Sequence, residues 1–344
     1  MVRLPLRERL FQWAPAAWRG DSGLILLYHR VADLDSDPQQ LAVSPRRFAQ
    51  HMEVIASQGT PSSLRGLPTA LANRQRPPIA VTFDDGYADV AASGPQLACV
   101  GATATMFVTT SYLGGAREFW WDDLERLLLL PGRLPETLRL PIGARIHEWH
   151  LGEAKEYGDA ERRRDLGWHV ECSGDPSPRH RAYRDLCRLL RGVEGDERVR
   201  TLDALSAMAG AGSEARPTHR PISEDDLARA EKSGTFDVGA HTETHAALSA
   251  LPADVQRREI SNSKAKLETI VGHRIASFAY PFGGRADYTA TSTDLVRESG
   301  FTVGCTAAGG LVCRKTDRFQ WPRMLVRNWD VDTFAAKLRA WLGR

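Results

Sequence analysis

The sequence predicts an α/β protein built on a parallel sheet or barrel, and three observations carry that prediction. Short apolar runs read as buried strands, capped helical stretches follow them, and the alternation resumes in the C-terminal part of the chain. At 344 residues, 42% hydrophobic and 26% charged, the chain has a soluble globular composition and length for one large domain or two ordinary ones.

The first run, Gly23 to His29, ends in polar residues and reads as a buried strand. Ser44-Pro45 then opens a helix as N-cap and first-turn proline, and Gly59 closes it. Ile79 to Phe83 is the second strand, Tyr87 to Ala98 is helical, and Ala102 to Val108 is the third strand. Between about 118 and 220 the pattern breaks in a stretch rich in charge and tryptophan, with helices expected at Trp121–Leu130 and Arg181–Arg191. A bare loop of that length is improbable, so we read a large, mostly helical insertion. The alternation resumes with a helix capped by Ser223-x-x-Asp226, a strand from Phe236 to Gly239 and a helix from Pro252 to Val271. A strand from Ser277 to Tyr280, a helix to about Ser299, a strand from Phe301 to Cys305 and a terminal helix from Asp330 to Leu342 complete the pattern.

The net charge of +2 argues against a nucleic-acid partner. The five cysteines are odd in number, irregularly spaced and without a CxxC, which fits reduced thiols. No segment approaches a transmembrane helix in length. Met1 to Trp18 lacks the apolar core of a secretion signal and is amphipathic, with Leu4, Leu6, Leu10, Phe11 and Trp13 among Arg3, Arg7, Glu8 and Arg9. We expect residues 1–21 to dock on the protein's own body, with peripheral membrane contact as the alternative. The expected location is cytoplasmic, at or near the membrane face, and residues 22–344 form the remaining domain.

Two stretches carry chemistry: Thr82-Phe83-Asp84-Asp85-Gly86-Tyr87 and His241-Thr242-Glu243-Thr244-His245. Two imidazoles and one carboxylate make a zinc ligand set, and a second carboxylate is left to act as a base. Alone, Asp-Asp-Gly is usually a turn and HxxxH usually surface chemistry. Both follow apolar strands, at the strand ends where functional groups of α/β folds converge, and that favours a metal site. A helical turn at 241–245 would put both imidazoles on one face.

These segments resemble the first two motifs of the polysaccharide deacetylase family, whose catalytic unit is the NodB homology domain. Phe278-Ala279-Tyr280-Pro281-Phe282-Gly283 is similar to that family's strand-ending YPxG segment, and the likeness covers roughly 22–115 and 221–330. The resemblance implies a distorted (β/α) barrel and a divalent metal, usually zinc, with another transition metal as the alternative. It implies Asp85, His241 and His245 as metal ligands, Asp84 as general base and the backbone N–H of Phe282 as oxyanion donor, with Tyr280 beside it on the substrate side. The implied reaction is hydrolysis by a metal-activated water of an N-acetyl group on an amino sugar of a polysaccharide, glycolipid or glycan precursor. The rival readings are an O-acetyl esterase or other carbohydrate deacylase, and a catalytically degenerate glycan-binding protein.

The chain departs from the family pattern twice. Ala279 stands where many members have an arginine that orients the catalytic Asp, leaving Arg323 or Arg285 as substitutes. No histidine follows His273, so the C-terminal Leu-x-His that supplies the general acid is missing. His29, ending the first strand in Leu27-Tyr28-His29-Arg30, is the replacement we favour, and a subset of the family has a similar Tyr-His element. Trp120, Trp121 and Asp122 either stack on a sugar or anchor the insertion. Thr242 and Thr244 are expected to orient the imidazoles. His147, His150, His169 and His180 read as structural or surface groups. The insertion leaves the fold on the motif-bearing side and is expected to set substrate choice.

Overall fold

The computed structural model describes residues 22–72 and 76–343, so the amphipathic 1–21 segment lies outside the described residues. Six parallel strands form the body of a nine-stranded sheet: β1 (Ser22–Tyr28), β2 (Pro78–Phe83), β3 (Ala104–Val108), β4 (Phe236–Ala240), β5 (Ser277–Ala279) and β6 (Val303–Cys305). Their order is β6-β5-β4-β3-β2-β1, and every neighbouring pair is parallel. All residues of β1, β2 and β3 are buried, as expected of strands covered on both faces.

The sheet curls because one segment touches both of its edges. Trp321 bridges Cys305 of β6 in parallel, and β7 (Met324–Leu325) pairs in parallel with Leu26 and Leu27 of β1. Closure through one bridge and a two-residue strand makes a distorted (β/α) barrel, as expected. The strand ends that precede His29, Asp84, His241 and Tyr280 therefore open on one rim.

The helices begin and end where their caps dictate. α1 (Pro45–Gln58) starts at Ser44, whose hydroxyl accepts from Arg47 N, and ends at Gly59. α5 (Glu224–Lys232) starts at Ser223, which accepts from Asp226 N at 3.0 Å. α6 (Ala253–Val271) ends at Gly272, whose φ of 75° suits glycine. α7 (Ala290–Glu298) and α8 (Val331–Trp341) complete the outer layer, and α8 stacks Phe334 on His51 of α1 at 3.9 Å. Among the described residues no helix is long and apolar enough to cross a membrane.

The insertion contains α2 (Trp120–Leu128), α3 (Pro178–Leu190) and α4 (Gly195–Ala209). The insertion is mostly helical, as expected, and it also carries strand pairs that the sequence reading did not place. Thr137–Ile142 and Arg145–His150 form an antiparallel hairpin, and Gly132–Arg133 pairs with Glu156–Tyr157. Leu138, Leu140 and Ile142 point inward from the hairpin, so the two-residue alternation of a strand was present. Pro141 and the short length obscured it.

Candidate active site

β2 ends in two carboxylates that leave the chain in different directions. Asp84 N still donates to Tyr28 O, extending the β1–β2 ladder, but Asp85 turns left-handed at φ 73°. Gly86 follows at φ 93°, where a Cβ would stand 3.0 Å from Val108 Cγ1. Four of the five described non-glycine residues with positive φ are at this site: Asp85, Thr242, His245 and Phe282. Each such conformation costs ~1–2 kcal/mol, and strain of this kind concentrates where function needs it.

His241 follows β4, and its Nδ1 lies 2.8 Å from Ala279 O. That carbonyl fixes the proton on Nδ1 and leaves the Nε2 lone pair for a ligand. The helical turn expected at 241–245 is absent. The two imidazoles converge instead through a loop with left-handed residues at Thr242 and His245. Thr242 Oγ1 accepts from His245 N at 3.1 Å. Glu259 of α6 accepts from Glu243 N, Thr244 N and Thr244 Oγ1 at 3.0, 2.8 and 2.6 Å. Sequence reasoning missed Glu259, because one glutamate on an amphipathic helix carries no signal of what lies opposite.

Asp85 Oδ1 lies 3.2 Å from His245 Nε2 and 3.6 Å from His241 Nε2. One ligand atom from each residue falls within 4.8 Å of the others, and all three residues are buried. Burial, above all, lowers the pKa of His241 to about 4 and of His245 to about 3, so both imidazoles are neutral near pH 7. Burial also raises the pKa of Asp85, with His29 and His241 opposing it. Two neutral imidazoles and a carboxylate around one point fit a divalent cation.

Asp84 is held apart from this set by Arg323. The guanidinium, fully buried, grips both oxygens at 2.6 and 2.7 Å and also donates to Thr306 O and Thr82 Oγ1. Burial works against the charge on Asp84, but Arg323 and then His241 outweigh it and hold the carboxyl at about 2. Of the two arginines weighed from sequence, Arg323 therefore meets Asp84, while Arg285 lines a separate surface hollow.

Above these groups lies a hollow of about 480 Å³, lined by His29, Asp84, Asp85, Trp120, His241, His245 and Phe282 among others. His29 is half-buried, and burial, chiefly, lowers its pKa, with Asp85 and then Asp84 opposing. The Phe282 ring packs on His245 at 4.8 Å, and its backbone N–H donates no hydrogen bond among the described residues. Tyr280, expected on the substrate side, does not line the hollow. Its hydroxyl donates to Phe319 O and its ring stacks on Tyr288, since the strand alternation that brings Ala279 O to His241 turns the next side chain away.

Trp120 lines the hollow but is 2% exposed, under Arg198 of α4. Trp121 packs on His245 at 4.8 Å and donates to Tyr87 Oη, which donates to Asp122. The geometry matches the anchoring alternative better than an open platform for a sugar. Arg198 donates to Thr244 O and Arg191 to Asp287, so the insertion clamps the histidine loop and the Phe282 loop. Asp122, Glu125 and His219 form a second buried cluster. Arg216 takes Glu125 at 2.9 Å and Tyr87 takes Asp122, so it reads as an internal ion network.

Residues 204–304, which include both imidazoles and the Tyr280–Gly283 segment, match the polysaccharide deacetylase family. That match spans less than a third of the chain. The match stops short of Asp84 and Asp85, which enter the site through the fold. Three solved deacetylase structures share that fold. The Streptococcus pyogenes deacetylase PplD, in complex with acetate, aligns at 15% identity over 93% of this chain and 98% of its own, with a TM-score of 0.55. IcaB from Ammonifex degensii aligns at 17% identity over 95% and 100%, with a TM-score of 0.56. The BpsB deacetylase domain from Bordetella bronchiseptica aligns at 17% over 91% and 98%, with a TM-score of 0.51. No curated protein sequence matches the chain.

Proposed function

We propose that this protein acts as a polysaccharide deacetylase, a metal-dependent hydrolase that removes the N-acetyl group from an amino sugar of a glycan or glycan precursor. The observation that carries the reading is the convergence of Asp85, His241 and His245 beside an Asp84 that Arg323 keeps ionised. A divalent metal held by Asp85, His241 and His245, zinc or another transition ion, supplies Lewis acidity that acidifies a water and polarises the acyl oxygen.

The chain's own groups do the rest. Asp84 takes the proton from the attacking water, and its fixed orientation on Arg323 aims the lone pair. The free N–H of Phe282 receives the developing oxyanion. Its left-handed backbone, φ 61°, is the local distortion that turns this N–H away from the strand ladder. His29 delivers a proton to the leaving amine. Water adds to the amide carbon, the C–N bond breaks, and the products are acetate and a free amine.

Acetate release from an N-acetylhexosamine oligomer, measured enzymatically, tests the reading. A His29→Gln variant is expected to lose about 100-fold or more in kcat while keeping its metal content. An unchanged kcat removes His29 from the mechanism. Burial, which lowers the pKa of His29, favours an O-acetyl esterase as the second reading, because an ester leaving group needs little protonation. If the His29→Gln loss appears on amides and is absent on esters, both activities share this site and the amide is the demanding one.

A further inference from the structure

The charges lining the hollow are not balanced within it. Asp84 is engaged by Arg323 and Asp287 by Arg191. Against Asp85 stand Arg184, Arg188 and Arg327, whose carboxylate partners Asp175, Asp185 and Glu171 are not lining residues. Arg184 makes three hydrogen bonds, to Asp175 and the carbonyls of Val170 and Cys172, and Arg327 makes three, to Glu171 and the carbonyls of Gln39 and Gln40.

Arg188 and Arg191 differ. Arg188 donates one N–H to Asp185 at 3.3 Å, and Arg191 one to Asp287 at 2.5 Å, out of five donors on each guanidinium. They stand three residues apart at the end of α3, and so side by side. The Arg191 guanidinium lies 4.2 Å from the Phe282 ring centroid. Arg188 is 69% exposed at the mouth. A planar guanidinium with unused donors matches carboxylate and phosphate oxygens in pairs. On the other side, a neighbouring hollow of about 660 Å³, sharing Leu325 and Arg327, is lined by Asp33, Asp35, Asp37 and Glu171 and carries the opposite sign.

We propose that the sugar accepted by this site carries an oxyanion, a phosphate ester or a carboxylate, gripped by Arg188 and Arg191 at the mouth of the hollow. This rests on the deacetylase reading and gives the insertion a role in substrate choice, because both arginines belong to it.

The test uses wild-type protein and product sugars that have no acetyl group to lose: glucosamine, glucosamine 1-phosphate and muramic acid, titrated by calorimetry. At least one anionic sugar is expected to bind about 10-fold or more tightly than glucosamine, with the preference falling at high salt. Which anion wins distinguishes phosphate from carboxylate. In Arg188→Gln the kcat/KM ratio of the acetylated anionic sugar over acetylated neutral sugar is expected to fall about 10-fold, mostly through KM. Equal binding of all three sugars, or a ratio untouched by Arg188→Gln, overturns the proposal. Anion-selective binding without acetate release from any substrate leaves the anion site standing and overturns the deacetylase reading instead.

Discussion

Replacing Arg323 with methionine is expected to cost about 3–5 kcal/mol of stability near neutral pH, because it strands a buried carboxylate. Asp84 and Arg323 are 4% and 0% exposed, so water cannot take over the role of the lost guanidinium. In the native protein Asp84 is held at about 2, below the ordinary value for an aspartate. The stability this contributes is fully present above that ordinary value, about 4, and is lost as the pH falls through about 2. In the variant, burial without the cation raises the Asp84 pKa, so the folded state loses stability as the carboxyl ionises. The gap between wild type and Arg323→Met is therefore widest at neutral pH and narrows below about pH 4. Urea unfolding of both proteins across pH 3–8 measures this, and a gap independent of pH contradicts the pairing.

The second large effect is on turnover. Asp84→Asn is expected to lower kcat by about 10²–10⁴-fold, the range for removing a positioned general base. Metal content should stay at the wild-type level, since the Asp85, His241 and His245 donor atoms remain within 4.8 Å of one another. Asp85→Asn should lower metal content and activity together. Equal activity of Asp84→Asn and wild type removes Asp84 from proton transfer. Loss of metal in Asp84→Asn would reassign it as a ligand.

Much of this was legible in the sequence, for reasons that differ by element. The strands were readable because parallel strands buried on both faces must be continuous apolar runs, as Leu24–Tyr28 and Ile79–Phe83 are. Asp84, Asp85, His241 and His245 were readable because acid and imidazole placed directly after such runs have no packing role to explain them. The conformation at His241–His245 was not readable. Spacing by four suggests a helical face, whereas Glu259, contributed by the following helix, holds the loop open through three hydrogen bonds. Arg323 could be named only as one of two arginines, since its meeting with Asp84 depends on β7 closing the barrel beside β1. The free donors of Arg188 and Arg191 had no sequence signature, because only tertiary structure shows which arginines are already occupied.

The proposed hydrolysis depends above all on one divalent metal held by Asp85, His241 and His245. Acetate release from an N-acetylhexosamine oligomer by chelator-stripped protein, titrated with zinc and with bound metal quantified at each step, tests that dependence. Stripped protein is expected to show negligible activity. Recovery is expected to saturate at about one metal per chain, since the described residues offer this one open donor set of two imidazoles and a carboxylate. Full activity in protein shown to be free of metal would contradict it.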